Sequence, residues 1–213
     1  MTEHADFAPD RRAGRLFRPS PPESVRARAA TVFDTEARLP ARVFRELTDE
    51  AVFCEFDLLL TPDAWPALAA LAALHGDRQV DLLVVDGYGL VGQAWSLPVE
   101  ATADDYWAEV GFDSGRELDS VTIAAQTVAL TGPSVRWGCW GERDPEVAVV
   151  RGFPDEAARQ EWRRGYGPCA DAAGVLASWL PPVFGERGVP DAYAAELAAH
   201  YAARRSEPGP TSA

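Results

Sequence analysis

The sequence predicts an α/β or α+β fold, a single mixed sheet of about six strands with helices at its N- and C-terminal ends. Three observations carry this. Short apolar segments alternate with helical patterns in the first half, three strand-like segments follow one another in the middle, and the final third is amphipathic and helical. At 213 residues, 47% of them apolar, with seven Trp and nine Phe, the chain can close a large core without disulfides or metal.

Residues 1–20 carry Arg11, Arg12, Arg15 and Arg18, uninterrupted by acids, and read as a flexible arm, and 206–213 ("SEPGPTSA") reads as a disordered tail. The region 21–205 between them reads as one globular domain. Ser20-Pro21-Pro22-Glu23 starts a helix with Val25, Ala29, Val32 and Phe33 on one stripe. A second short helix is expected after Pro40, burying Val43, Phe44 and Leu47.

"AVFCEFDLLL" reads as a strand with Val52, Cys54, Phe56, Leu58 and Leu60 on its buried face, and Glu55 and Asp57 on the other. "TPDAWPALAALAALHG" is a helix with Thr61 as N-cap, Pro62 in its first turn and Gly76 as its stop. "QVDLLVVD" is a buried strand. Together these three segments suggest a right-handed parallel β-α-β crossover.

"GLVGQAWSLPV" is a further strand, and "TADDYWAEVG" a helix capped by Thr102. "SVTIAAQTVALTG", "SVRWGCWG" and "EVAVVRGF" form an antiparallel meander. "FPDEAARQEWRRG" has acids at its start and arginines at its end, as the helix dipole favours. "PCADAAGVLASWLPP" and "PDAYAAELAAHYAARR" complete the helical third.

The net charge of −13 disfavours nucleic acid and anionic membrane surfaces, and favours a basic protein partner or self-association. No apolar run has membrane-spanning length and no signal-peptide pattern opens the chain. With three cysteines in no paired or zinc-ligand spacing and three histidines, the expectation is a cytoplasmic protein with no metal and no cofactor.

Catalytic patterns are thin. Gly87, Gly89 and Gly92 fit G-x-G-x-x-G, but the continuation "QAWSLP" reaches Pro98 before a helix can form, so the stretch reads as a β-hairpin turning at Asp86-Gly87. "GFDSG" places Ser114 one position late for a nucleophile elbow. Cys169 is the best thiol candidate, read in the first turn of a helix where the dipole lowers a thiol pKa. His200 is its only plausible base, and its helical spacing from Tyr193 and Leu197 reads instead as packing.

The densest stretch is "RWGCWGERDPEV". Alternation puts Val135, Trp137 and Cys139 on a core face and Arg136 with Trp140 on the other, with an acidic turn after them. The chain resembles bacterial immunity and adaptor-type proteins in composition alone. The leading expectation is a non-enzymatic acidic binding protein using Arg136, Trp140, Glu142, Asp144 and Glu146, with Asp104 and Asp105 as further acids. The alternative is a small-molecule enzyme with its site at strand C-terminal ends near Thr61, Asp63 and Asp86.

Overall fold

A computed structural model describes residues 22–88, 91–111 and 120–202. The segments expected to be an arm and a tail, together with Gly89 and Ser114, lie outside these residues. Helix α1 spans Pro22–Val32, and the six strands are β1 (Val52–Glu55), β2 (Gln79–Gly87), β3 (Ala94–Pro98), β4 (Ala125–Thr131), β5 (Gly138–Glu142) and β6 (Val147–Arg151). They form one sheet in the order β1-β6-β5-β4-β2-β3.

The fold class, the strand count and the β4-β5-β6 meander are as the sequence predicts. The sheet, however, is not mixed, since every neighbouring pair is antiparallel. β1 and β2 do point the same way, but β6, β5 and β4 lie between them. The anticipated crossover therefore spans four strand spacings, about 19 Å, instead of joining neighbours. A sheet covered on both faces yields the same continuous apolar runs whether its strands are parallel or antiparallel, so the pattern alone misdirects here.

Two cores share this sheet. One contains Val52, Cys54, Leu82, Val84, Leu130, Trp137, Cys139 and Val150. Four helices cover it: α2 (Phe56–Leu59), α3 (Trp65–Leu74), α4 (Ala103–Val110) and α6 (Glu156–Tyr166). The other contains Phe53, Leu83, Ala129, Trp140 and Val149, under α1, α7 (Ala172–Ser178), α8 (Leu180–Phe184) and α9 (Asp191–Tyr201). A short helix, α5 (Val121–Ala124), replaces the start of the strand expected from Ser120.

β1 is shorter than alternation suggests. After Glu55 the buried positions are Phe56, Leu59 and Leu60, an i, i+3, i+4 spacing that one helical turn satisfies and a strand cannot. Thr61 does not cap with its side chain; its hydroxyl donates to the Leu58 carbonyl at 2.7 Å, and α3 begins four residues on. The stop at Gly76 is confirmed by its φ of +73°. At α4 a full capping box forms: Thr102 Oγ1 accepts from Asp105 N–H and Asp105 Oδ2 accepts from Thr102 N–H.

No helix follows Pro40. Residues 33–50 instead cross the second face as an irregular strap, tied to α1's end by a bridge between Phe33 and Phe44. Without helical or ladder bonds its backbone needs other partners. Tyr201 supplies two: its hydroxyl donates to Ala41 C=O at 2.7 Å and accepts from Val43 N–H at 3.0 Å. Arg151 donates to the carbonyls of Leu47 and His200 and lies over the Phe44 and Tyr201 rings. Asp49 accepts from the N–H groups of Gly152 and Phe153.

Tyr201→Phe keeps the ring packing but leaves Val43 N–H and Ala41 C=O unpaired. We expect it to cost about 2–3 kcal/mol of unfolding free energy, measured by urea denaturation; a loss below about 0.5 kcal/mol would show that the strap does not depend on this pin.

Candidate functional site

Of the five residues that the sequence groups as a recognition surface, the structure gathers only part. Trp140 has no exposed surface and Glu142 is 3% exposed. The Trp140 ring packs 5.4 Å from that of Phe33, with the Arg38 guanidinium over its face. Its indole N–H donates to Glu142 Oε1 at 2.7 Å, and the same oxygen accepts the Leu39 N–H at 2.9 Å. This pair is therefore a fastening between sheet and strap rather than a surface anchor. Both were misplaced for one reason: the strap that covers them carries no regular pattern in sequence.

Arg136 lies at the opposite end of β5 from Asp144, about 26 Å away along extended chain. Its Nη2 donates to the His75 carbonyl at 2.7 Å. It lines a cavity of about 620 Å³, together with Asp49, Leu47, His75 and Phe153. His75 Nε2 donates to Gly152 C=O at 2.6 Å. With Asp49 also bonded to this backbone, much of the cavity's polar lining is engaged in holding the chain.

Asp144 and Glu146 are exposed on the β5–β6 turn. The turn is fixed: Glu146 N–H donates to Arg143 C=O at 2.8 Å, and Glu146 C=O accepts Phe56 N–H at 3.1 Å. Glu146 has a φ of +61°, an uncommon conformation for a non-glycine residue. That connection brings the turn against the β1–α2 junction. A groove of about 300 Å³ results, lined by Glu55, Asp57 and Glu146 from the sheet end and by Trp179, Pro182 and Val183 from α7 and α8. Val183 is 40% exposed.

Sequence reasoning placed Glu55 and Asp57 side by side on a strand face but gave no sign that they meet the β5–β6 turn. Trp179 was missed altogether. The available signal was "WLPPV": Trp179 sits at the joint between α7 and α8, two residues before the paired prolines in the first turn of α8.

Of the groove's carboxylates only Asp57 is paired among the described residues, to Arg143 Nη1 at 3.1 Å. The side chains of Glu55, Asp144 and Glu146 make no hydrogen bond or ion pair among the described residues. Nor do any three His, Cys, Asp or Glu among the described residues converge as metal ligands do. Asp104 and Asp105 stand apart on α4, where Asp105 is engaged in the capping box.

Set against known protein families, curated proteins and solved structures, the chain matches none.

The residues of the enzymatic alternative do not meet. Thr61 and Asp63 follow α2 on one face, whereas Asp86 ends β2 near Arg38, which belongs to the strap on the other face. With no parallel neighbours, the sheet lacks the crevice on which that alternative depended. β2 pairs with β3 as the expected hairpin, and Gly92 N–H meets Val84 C=O at its end, but the turn is not at Asp86-Gly87: both residues continue β2 against Thr127 and Ala125 of β4.

Cys169 precedes the α7 N-cap, Asp171, by two residues and is outside the helix's first turn. Burial pushes its thiol up to about 11, only partly opposed by Arg163. His200 stands on α9 over the other core, 3.9 Å from Glu196. Cys54 and Cys139 are buried, and burial raises both thiols, Cys54 to about 12.

Burial also raises the Glu142 carboxyl above its ordinary value, against the pull of the indole, the Leu39 N–H and Arg38. The folded protein thus holds that proton more tightly than the unfolded chain. The stability from this site is fully present below the unfolded pKa and is lost as pH rises through the folded one. Glu142→Gln keeps an acceptor for both donors and removes the titration. Urea denaturation between pH 4 and 7 on the ~4.3 reference scale is expected to show the variant gaining on wild type as pH rises; parallel profiles would refute the assignment.

Proposed function

We propose that the protein is a non-enzymatic binding module whose site is the acidic groove between the β1–β6 end of the sheet and helices α7 and α8. Its partner is a basic, arginine- or lysine-bearing segment of another protein. The observation that supports this best is the composition of the groove: Glu55, Asp57 and Glu146 beside Trp179 and Val183, with Asp144 exposed on the adjoining turn.

Each component has a use. A guanidinium or ammonium placed among separated carboxylates gains attraction without the tight convergence a small cation requires. Trp179 offers an aromatic surface for the stem or the cationic head. The turn is already fixed by backbone bonds to Phe56 and Arg143, so the partner need not order it on binding. The whole chain's charge of −13 steers basic partners toward the protein, and the groove selects where they settle.

An arginine-rich peptide serves as the probe, and its association is expected to slow as salt rises. Reversing Glu55 and Glu146 together to Arg is expected to weaken binding at low salt by about tenfold or more, while Trp179→Ala chiefly speeds dissociation. Surface plasmon resonance on folded variants checks both. Equal loss on reversing Glu23 and Glu161, which lie outside the groove, would reduce the effect to bulk charge and defeat the proposal.

A further inference from the structure

The outer edge of β1 is not open. Phe53 N–H donates to Ala170 C=O at 2.8 Å, and Ala170 N–H donates to Phe53 C=O at 2.9 Å, a doubly bonded antiparallel bridge to the segment between α6 and α7. In antiparallel register the next pair after Phe53 and Ala170 is Cys54 and Cys169. Residues beside a doubly hydrogen-bonded pair stand at the closer of the two spacings, with Cα atoms about 4.5 Å apart, and opposite residues point to the same face. The next position along that edge falls to Pro168, which has no N–H to extend the ladder.

The packing agrees independently with this register. Phe53 and Ala170 both belong to the core beneath α7 and α9, while Cys54 and Cys169 both belong to the core on the other face. Alternation thus runs in phase on both sides of the bridge. A Cα separation of about 4.4–6.8 Å with side chains on one face is what a disulfide requires. Cys139 shares the face of Cys54 but stands two strands away, across β6, about 9.6 Å in strand spacings alone, beyond disulfide reach.

We propose that Cys54 and Cys169, both free thiols in this structure, are a disulfide-forming pair that staples the α6–α7 connection to the edge of the sheet under oxidising conditions. The oxidant is a small disulfide of the glutathione class. Cys169, the partly exposed member, attacks it first as thiolate: one Cys169–glutathione S–S bond forms, the oxidant's own S–S bond breaks, and one glutathione thiolate leaves. Cys54 then attacks the Cys169 sulfur, forming the Cys54–Cys169 bond and expelling the second glutathione. Two protein thiols are oxidised, one disulfide is reduced to two thiols, and the two protons pass from the cysteines to the departing glutathiones.

Both thiols are raised by burial, Cys169 to about 11 and Cys54 to about 12, so few thiolates are present at neutral pH and the staple forms slowly there. The sequence order gives the staple a structural reach. Cys54 adjoins Glu55, and Cys169 leads through Asp171 into α7 and Trp179, so the link fixes the two walls of the acidic groove against each other. The pairing itself rests on backbone register and stands apart from the groove's function.

The folded full chain is incubated with glutathione disulfide at mildly alkaline pH, quenched with acid, digested and read by mass spectrometry. A peptide joining Cys54 to Cys169, lost on reduction with dithiothreitol, is the expected product, with Cys139 still a thiol. Cys169→Ser is expected to lose the link completely, and Cys139→Ser to form it as wild type does, both with native circular dichroism. A glutathione retained on Cys169 beside a reduced Cys54, or a link through Cys139 in natively folded protein, would overturn the proposal.

Discussion

Everything on the second face of the sheet depends on satisfying a strap that has no secondary structure of its own. Residues 33–50 lie across buried strands, where each unpaired backbone group costs on the order of 1–3 kcal/mol. The partners come from charged and polar side chains placed where apolar ones would otherwise sit: Glu142 at the end of β5, Arg151 at the end of β6, and Tyr201 at the end of α9. Arg151 shows how such a charge is tolerated. It is 3% exposed, yet two carbonyls accept its N–H groups and two aromatic rings lie against its guanidinium. The C-terminal helix is held through the same residues, since the His200 carbonyl and the Tyr201 hydroxyl belong to this network.

This arrangement explains which parts of the fold are legible in sequence. Local signals that act within a few residues are read correctly: Thr102 as the cap of α4, the acids that open α6, the stop at Gly76, and the hairpin pairing of β2 with β3. Signals that require knowing what covers a strand are not. "GCWGE" and "VAVVR" look half-exposed because each carries a charge, yet every residue of β5 and β6 is buried. Trp140 and Glu142 thus read as a recognition face when they are an internal fastening. The charge at the end of each strand marked the strap, but nothing within the strap says so.

Strand order belongs to the same class of missing information. The helices after β1 cross to β2 without pairing those strands, and the meander formed later in sequence fills the gap between them. A local reading joins β1 to β2 because they are consecutive, whereas β1 pairs with β6, almost 100 residues away by the register of Val52 with Val150. The acidic groove is a product of that long-range pairing. Glu55 and Glu146 meet only because β1 closes against β6, which is why neighbouring acids were visible in sequence but the groove was not.

The two ends of the sheet use their acids differently. At the end bearing Arg136, Asp77 accepts from Ser134 N–H, Ser134 hydroxyl and the Trp137 indole, and Asp49 accepts from two successive backbone N–H groups. Those carboxylates hold turns together, and the larger cavity there is walled by residues already engaged. At the other end Glu55, Asp144 and Glu146 are held in place by backbone bonds alone, with their carboxylates left unengaged among the described residues. Keeping like charges on a rigid turn and on the strand end beside it costs stability, and the positive φ at Glu146 adds to that cost. A fold that spends most of its buried acids on its own backbone, yet leaves these exposed near Trp179, is the contrast on which we propose that the groove receives a cation from outside.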